Sequence, residues 1–421
     1  MNNKAEKRGL VPKLRFPEFR EAGGWGERRL ADVLSPSIRE VAKPTSNYLA
    51  LGIRSHGKGT FHKPDQAPEK NAMDRLYLVH RDDLIVNITF AWEGAIAIAD
   101  ADDHGSHVSH RFPTYVFKAS ASMPDFFRNV ITSKAFVYKL GLISPGGAGR
   151  NRVMNKKDFL NISVLLPSLP EQQKIADCLA SLDVLITLEA QKLDTLKAHK
   201  KGLMQQFFPA EGETLPKQRF PEFRDAGEWE RKTLKDIAKI SSGSTPLRSN
   251  EEFFLDGSIP WVKTTDLNNS FIIETEEKIT PLAKARINPV DSVLIAMYGG
   301  FNQIGRTGCL SAPAATNQAI SVLVLDRKAA LPVYVLAWLN AKVEDWKRIA
   351  SSSRKDPNIT GSDVGKFPIT LPKLQEQQRI ADCLASLDDL ITAQTQKFAA
   401  LKTHKKGLMQ QLFPALDEVA A

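Results

Sequence analysis

The sequence is poor in the features that mark secreted and membrane proteins. Its 421 residues include 3 cysteines (Cys178, Cys309 and Cys383), too few for a disulfide framework and without the spacing of zinc ligands. No apolar run approaches the roughly 18 residues that a membrane-spanning helix needs. The first residues are charged and lack the apolar centre of a secretory signal. We therefore expect a cytoplasmic protein from a reducing compartment that does not associate with a membrane.

Sequence motifs of several enzyme classes are also missing. There is no Gly-x-x-x-x-Gly-Lys-Ser/Thr phosphate loop. The nearest approach to the Asn/Asp-Pro-Pro-Tyr/Phe motif of methyltransferases is Asp356-Pro-Asn-Ile359, which lacks the aromatic residue that stacks on a flipped base. The spacing His104-x-x-His107-x-x-His110 has no cysteine nearby and is typical of a loop entering a strand, so it predicts no metal site. We expect a chain that is not an enzyme by itself and holds no metal or cofactor.

Two blocks of sequence occur twice in the same order, which is the signature of an internal repeat. Residues 171–209 and 376–414 are identical at 29 of 39 positions with a constant offset of 205. Upstream of each lies a shorter repeated block, at residues 12–20 and 216–224, and each shorter block is followed by a tryptophan. The repeat predicts that the protein consists of two similar halves.

The segments between the repeated blocks differ in sequence but share their length. Leu84–Gly94 and Val293–Gly300 are both β-rich apolar runs that lead into a glycine-containing turn, so we expect one mixed α/β fold with two different surfaces. The predicted organisation is an N-terminal repeat block (1–26), a first head (27–168), a central helix (169–209), a linker with the second repeat block (210–230), a second head (231–373), a C-terminal helix (374–414) and a tail (415–421).

The longer repeated block has the spacing of an amphipathic helix, with a stripe that is apolar at seven of nine positions in each copy. A helix of roughly 36 residues is about 50 Å long, and one with a single apolar stripe needs a partner. We expect the two copies to form an antiparallel coiled coil with a pseudo-two-fold, cyclic arrangement, in which Glu189 and Gln394 fix the register. The predicted interface residues are Ile175, Leu179, Leu182, Ile186, Leu193 and Leu196 in the first helix and Ile380, Leu384, Leu387, Ile391, Phe398 and Leu401 in the second.

Positive charge is concentrated outside the predicted helices. The chain has 57 Lys and Arg against 48 Asp and Glu, a formal charge of +9, and residues 1–170 alone hold 25 basic and 17 acidic residues. The two helices are close to neutral. This distribution favours heads that contact a polyanion and helices that act as a spacer between them.

Short motifs open the two helices and mark the second head. They are Leu166-Pro167 with Glu171-Gln-Gln-Lys-Ile175, Leu371-Pro372 with Glu376-Gln-Gln-Arg-Ile380, Ser242-Gly-Ser-Thr-Pro246, Ile259-Pro-Trp-Val-Lys-Thr-Thr-Asp-Leu267 and Thr316-Asn-Gln318. In this duplicated order the chain resembles the specificity subunit of a type I restriction–modification system over essentially its whole length. The first head departs from the pattern, because it has no counterpart of the Ser-Gly-Ser-Thr-Pro and Ile-Pro-Trp stretches.

The resemblance implies an α+β protein in which two target recognition domains are separated by the helices. Each head would read one half of a bipartite, asymmetric site in double-stranded DNA. The helices would set the gap between the halves and dock two modification subunits, which bring S-adenosylmethionine and methylate adenine. Restriction subunits would add translocation and cleavage driven by ATP and Mg²⁺.

Loops with Arg, Lys, Asn, Ser, Thr or aromatic side chains supply the groups that contact base edges and phosphates. In the first head the candidates are Arg54, Lys58, Trp92, His107, His110, Arg111, Arg150, Asn151 and Arg152. In the second head they are Ser244, Thr245, Arg248, Lys263, Thr264, Thr265, Tyr298, Asn302, Arg306, Asn317, Arg354 and Lys355. Two alternatives stay open: a coiled-coil scaffold whose heads bind proteins, and a chain that methylates or cleaves DNA without partners.

Overall fold

The computed structural model describes residues 10–147, 152–300, 302–351 and 358–414. It divides the chain into two compact units, each with one head and segments of both long helices. The first unit comprises residues 1–188 and 398–421, and the second comprises residues 189–397. No helix in the described ranges is both long and apolar enough to cross a membrane.

The first unit contains a mixed α/β head. Its strands are β1 (Gly26–Arg29), β2 (Leu34–Ser37), β3 (Glu40–Ala42), β4 (Tyr48–Ile53), β5 (Thr60–Gln66), β6 (Arg75–Leu78), β7 (Leu84–Val86), β8 (Ile96–Ile98), β9 (His107–Val108), β10 (Thr114–Phe117) and β11 (Ser163–Leu166). Its helices are α1 (Leu30–Val33), α2 (Pro124–Ile131), α3 (Lys134–Leu142), α4 (Lys156–Phe159) and the start of α5 (Leu169–Phe207). The strands form sheets of order β2-β10-β7-β8, β3-β6-β9-β4-β5 and β1-β11.

The second unit contains the other head. Its strands are β12 (Glu230–Thr233), β13 (Ala238–Ser242), β14 (Ile259–Val262), β15 (Ser270–Ile272), β16 (Glu277–Ile279), β17 (Val293–Ala296), β18 (Thr307–Leu310), β19 (Ala315–Thr316), β20 (Ile320–Leu325) and β21 (Pro368–Leu371). Its helices are α6 (Leu234–Ile237), α7 (Pro332–Ala341), α8 (Val343–Ser351), α9 (Gly361–Lys366) and the larger part of α10 (Leu374–Leu412). The sheets have the orders β13-β20-β17-β18-β15, β16-β14-β19 and β12-β21.

The two heads share the topology of a four-stranded core sheet, as the echoes between their sequences predict, whereas their second sheets have five and three strands. The order β2-β10-β7-β8 of the first head corresponds to β13-β20-β17-β18 of the second, and each head has a short parallel pair, β4 with β9 or β14 with β19. The apolar runs at Leu84–Val86 and Val293–Ala296 become the buried strands β7 and β17. Short apolar strands buried on both faces explain why these runs lack the alternation of polar and apolar residues.

Helices α5 and α10 run antiparallel in each unit, which confirms the predicted direction of the coiled coil. In the first unit Leu412, near the end of α10, shares a core with Ile175 and Leu179, near the start of α5. Lys405 of α10 also pairs with Asp183 of α5, with Nζ and Oδ1 2.5 Å apart. In the second unit the contacts mirror these. Lys200 pairs with Asp388 at 2.5 Å, and Phe207, Ile380 and Leu384 belong to one core. The predicted interface residues of both helices are all buried or half-buried.

A polar cluster interrupts the apolar interface in the second unit. The side-chain amide of Gln394 donates to Glu189 Oε2 at 2.5 Å and to the Glu189 backbone carbonyl at 3.0 Å. Lys397 Nζ lies 2.6 Å from the other carboxylate oxygen. The hydrogen bond from Gln394, and next that from Lys397, holds the pKa of Glu189 below its usual value. A carboxylate opposite an amide satisfies both polar groups in the interface, whereas two carboxylates there would repel each other.

Acid is therefore expected to weaken this helix contact. Because the pKa of Glu189 is lowered in the folded state, its contribution to stability is complete above the ordinary glutamate pKa and is lost as the pH falls through the lowered value. We expect Glu189→Gln to unfold at a lower temperature than the parent at pH 7, and the difference to shrink as the pH falls from the ordinary glutamate pKa through the lowered one. Thermal melts across this range measure it, with Glu222→Gln as a control for loss of an exposed carboxylate. A difference independent of pH would contradict the assignment.

The short repeated blocks anchor each unit at its helix ends. In the first unit Arg15 donates to both carboxylate oxygens of Glu171, at 2.8 and 2.6 Å, and the backbone N–H of Leu14 donates to the Gln411 carbonyl. Trp25, which is 1% exposed, donates its indole N–H to Glu171. The N-terminal block thus docks where α10 ends, as the cyclic arrangement predicts. In the second unit Arg219 binds Glu376 in the same way, at 2.7 Å to each oxygen.

Replacement of either of two glycines in the long helices should stabilise the protein slightly. A Cβ added at Gly202 or Gly407 meets no atom within 4 Å, and the backbone is helical at both positions. Alanine there should therefore stabilise the protein by roughly 1 kcal/mol per site, the difference in helix propensity. Calorimetry should record a higher melting temperature for Gly202→Ala. Gly212→Ala is the matched control, because space is also open there but φ is +88°, and we expect it to destabilise the second unit.

Candidate nucleic-acid interface

In the second head, three separate loops meet at one polar surface. The loop after β13 contacts the end of β19, where the backbone N–H of Ser244 donates to the Thr316 carbonyl at 3.0 Å. Trp261 of β14 donates its indole N–H to the Ser244 carbonyl at 3.3 Å. The Thr245 hydroxyl donates to the side-chain oxygen of Gln318. Ser244, Thr245 and Gln318 are exposed, so the loops present hydroxyl and amide groups to an incoming ligand.

Two cations of this surface are held by carboxylates. Arg248 donates to Glu277 at 2.6 and 3.3 Å, and Lys263 Nζ lies 2.8 Å from Glu276 and 2.6 Å from Glu277. Hydrogen bonds from Arg248 first and Lys263 second keep the pKa of Glu277 below its usual value. Hydrogen bonds to Glu276 first and to Glu277 second raise the pKa of Lys263. Lys263 therefore stays charged at neutral pH. The carboxylates neutralise part of the positive potential of both cations.

A glycine turn extends the surface from β17. Gly299 has a φ of +115°, and a Cβ there would lie 3.3 Å from the Thr264 hydroxyl oxygen, so the turn lies against the loop that follows β14. Tyr298 is 41% exposed at the start of this turn. Asn302 and Thr265 are exposed, and Arg306 and Asn317 are half-buried. The backbone N–H of Asn317 donates to the Val262 carbonyl at 3.0 Å, which ties it to β14.

In the first head, the aromatic and guanidinium candidates gather around Thr89. Trp92 donates its indole N–H to the Thr89 carbonyl at 3.2 Å, and Arg111 donates to the Thr89 hydroxyl at 3.2 Å. The guanidinium carbon of Arg152 lies 4.9 Å from the centre of the Trp92 ring system. Arg152 also donates to the carbonyls of Ser144 and Gly141, so much of its hydrogen-bonding capacity serves the end of α3. The arrangement leaves Arg111 as the exposed cation of this group.

The β4–β5 hairpin loop lies beside this group. The backbone N–H groups of His56 and Gly57 donate to the carbonyls of Glu93 and Gly94, at 2.7 and 3.0 Å, which places the loop against the turn that follows Trp92. Arg54 and Lys58 are exposed on the loop. Arg54 donates to the Thr60 carbonyl at 2.6 Å. His110 is also exposed, and its carbonyl accepts a hydrogen bond from Lys156 at 2.9 Å.

The histidines of the His-x-x-His-x-x-His pattern have separate contacts. The His104 ring packs on His80 with centroids 4.8 Å apart, whereas His107 is half-buried in β9 with its ring 5.2 Å from Tyr48. The structure thus does not bring His107 to the group around Thr89. Across the described positions, no set of three or more His, Cys, Asp or Glu residues is placed to hold a metal ion. The candidates Arg150, Asn151, Arg354 and Lys355 lie outside the described residues.

Some residues of these surfaces are not predicted by the sequence. Gln318 belongs to a motif that resembles the family, yet its proximity to Thr245 depends on the position of β19. Glu276 and Glu277 carry no sequence signal, because acidic residues are common on exposed turns. Thr89 gave no signal either, since a single threonine in a polar turn is ordinary. Which carboxylates lie beside the candidate cations is decided by the tertiary structure.

Comparisons with known proteins agree with this architecture. The family model described as the type I restriction modification DNA specificity domain matches twice, at residues 67–198 and 226–403. The specificity subunit of the type I restriction enzyme EcoR124I/EcoR124II of Escherichia coli is 28% identical over 40% of this chain and 43% of that subunit. The specificity subunit of the type I restriction enzyme MjaIX of Methanocaldococcus jannaschii is 31% identical over 39% of each chain. The matched region thus spans about two-fifths of the length of these curated relatives.

A solved structure shares the fold. The crystal structure of the type I restriction–modification S subunit from M. genitalium superimposes with a TM-score of 0.60 at 14% identity, and the match covers 97% of this chain and 100% of that one. At this identity the likeness concerns the fold alone.

Proposed function

Because this chain belongs to the family of type I restriction modification DNA specificity domains, we propose that it selects the DNA sequence on which a type I restriction–modification complex acts. Each head reads one half of a bipartite, asymmetric site. The observation that carries the proposal is the doubled family match, one in each half of the chain. Two recognition domains with the same core sheet and different loops suit a site made of two unlike halves.

The chemistry of both heads supports this role. The loops of the second head present hydroxyls, an amide and a tyrosine, and those of the first present Arg54, Lys58 and Arg111 beside Trp92. Such groups contact base edges and phosphates. Long helices close to neutral contribute little attraction for phosphates. We propose that they set the gap between the half-sites and dock two modification subunits.

Catalysis belongs to the partners in this proposal. The modification subunits bind S-adenosylmethionine and methylate adenine, and the restriction subunits use ATP and Mg²⁺. This chain contributes recognition and positioning, so we expect no methyl transfer or DNA cleavage by the purified chain with S-adenosylmethionine or Mg²⁺. Turnover by the chain alone would favour the alternative of an independent methyltransferase or nuclease.

Methylome sequencing tests the function directly. Cells that express the chain with a modification subunit that binds it should contain methylated adenine in one bipartite motif, and cells without the chain should not. Exchange of residues 231–371 for another head should change one half of the motif only. A protein-binding scaffold would give no new methylation and no DNA gel shift that weakens as the salt concentration rises.

The spacer role makes a separate prediction. Insertion of one seven-residue repeat into both helices, after Glu189 and after Gln394, preserves the apolar stripe and lengthens each helix by about 10 Å. We expect the gap in the motif to grow by about three base pairs, at roughly 3.4 Å each, with both half-sites unchanged. An insertion in one helix only is the control, and it should disrupt the pairing. An unchanged gap in the doubly extended protein would exclude the spacer role.

A further inference from the structure

One arginine of the second head is fixed on three sides. The Arg248 guanidinium carbon lies 4.7 Å from the centre of the Phe254 ring and 4.9 Å from that of Trp261. Glu277 accepts two of its hydrogen bonds, the shorter at 2.6 Å. Phe254 and Trp261 thus form a cradle for the Arg248 side chain. Trp261 is 1% exposed, so it is a rigid part of the core. The arginine side chain is 53% exposed, which leaves the guanidinium accessible from the loop surface.

Glu277 also serves a second cation. Its Oε1 atom lies 2.6 Å from Lys263 Nζ, and the Glu277 side chain is 29% exposed. The neighbouring Glu276 contacts only Lys263 among the ion pairs of the described residues and is 68% exposed. One carboxylate therefore compensates two cations at the place where Ser244, Thr245 and Gln318 present polar groups. A surface shaped only for attraction to phosphates would have no need of this carboxylate.

The pair of Arg248 with Glu277 contributes little to folding, because the arginine side chain is 53% exposed. Its physical effect lies in binding. A long side chain that is already fixed loses less conformational entropy when it contacts a ligand. A neutralised cation is attracted less strongly to any phosphate, so binding that is independent of sequence is weaker. Both effects raise the ratio of specific to non-specific affinity.

We propose that Arg248 contacts a base edge in the half-site of the second head, and that Glu277 is the positioning residue that presents it and suppresses phosphate contacts. This inference rests on the proposed function. The expected base is guanine, whose O6 and N7 atoms accept two hydrogen bonds from one guanidinium in the major groove. The flat cradle of Phe254 and Trp261 suits a planar guanidinium and gives lysine no equivalent contact.

The test uses the full-length chain with its modification partner. Two duplexes are compared, one with the motif from methylome sequencing and one with only the second half-site scrambled, each titrated at several salt concentrations. Arg248→Lys keeps the charge but loses the planar contact, so the affinity ratio of the two duplexes should fall about tenfold while scrambled DNA binds as before. Glu277→Gln should strengthen binding to scrambled DNA, steepen its log–log salt slope by about 1, and lower the ratio severalfold. Glu274→Gln is the matched control, because this exposed glutamate lies in the β15–β16 loop without a contact to Arg248 or Lys263, and it should leave the ratio unchanged.

The outcomes separate the inference from the function on which it rests. If Glu277→Gln leaves the ratio at the parent value, or weakens both duplexes equally, Glu277 does not position a reader and the inference is overturned. If the parent protein itself does not distinguish the duplexes, the proposed function fails. Circular dichroism and melting temperature establish that each variant is folded before its binding is compared.

Discussion

Replacement of Arg15 by alanine is expected to destabilise the first unit by about 3–5 kcal/mol, because it leaves a buried carboxylate without its partner. The side chain of Glu171 is 1% exposed and that of Arg15 is 6% exposed, so the pair is largely shielded from water. A loss of this size is a large part of the roughly 5–15 kcal/mol that stabilises a typical domain. The melting temperature of that unit should fall by about 10 °C or more.

The repeat provides an internal replicate for this result. Arg219→Ala should affect the second unit in the same way, because the Glu376 side chain is also 1% exposed. Arg379→Ala is the control, since its pair with Glu222 is about half exposed and should change stability by less than about 1 kcal/mol. Calorimetry of the three variants makes the comparison. Equal melting temperatures for Arg15→Ala and the control would contradict the anchoring role.

We attribute the loss of stability in Arg15→Ala to the cost of burying an unpaired charge, and a double replacement tests this cause. Removal of both charges, as in Arg15→Met with Glu171→Leu, leaves no buried charge behind. This variant should therefore recover more than half of the stability that Arg15→Ala loses. A double variant as unstable as the single one would show that the shape of the pair matters more than its charge.

Gly243→Ala is expected to abolish recognition by the second head while the first head still reads its half-site. A Cβ at this position would lie 1.9 Å from the Thr316 carbonyl oxygen and 2.3 Å from its hydroxyl oxygen. Thr316 is 1% exposed in β19 and cannot give way without disturbing the sheet. The loop that carries Ser244 and Thr245 must therefore move by more than 1 Å, which breaks the hydrogen bond from Ser244 to Thr316. Such overpacking costs about 1–3 kcal/mol.

Methylome sequencing measures this effect, because a displaced loop should erase methylation of the bipartite motif. Gly361→Ala is the matched control: it lies in the same head, at the start of α9, and no atom lies within 4 Å of its added Cβ. We expect normal methylation from that variant. Normal methylation from Gly243→Ala would mean that the loop after β13 takes no part in recognition.

The candidate surfaces were only partly predictable, and the reason differs from residue to residue. Trp92 and Arg111 stood out because an aromatic and a cation in polar turns suit nucleic-acid contacts, and the structure brings both to Thr89. His107 met the same criteria, yet it lies half-buried in β9. Glu277 met none of them, although it contacts Arg248, which is 29 positions away in the chain. Residue type predicts which chemical group a side chain carries, but the neighbouring residues decide whether DNA can reach that group.

Elements that depend on local periodicity can be predicted from the order of residues alone. Two helices with one apolar stripe each, and two heads of one fold that each precede a helix, follow from spacing and repetition. A stripe at steps of three and four residues can be buried only on a helix. The apolar stripe is compatible with either relative direction. The pairs Asp183 with Lys405 and Lys200 with Asp388 form because the helices are antiparallel. The cradle around Arg248 likewise exists only in the folded chain, because it joins residues from two strands and from the loop before β14. Their separation in sequence carries no periodic signal.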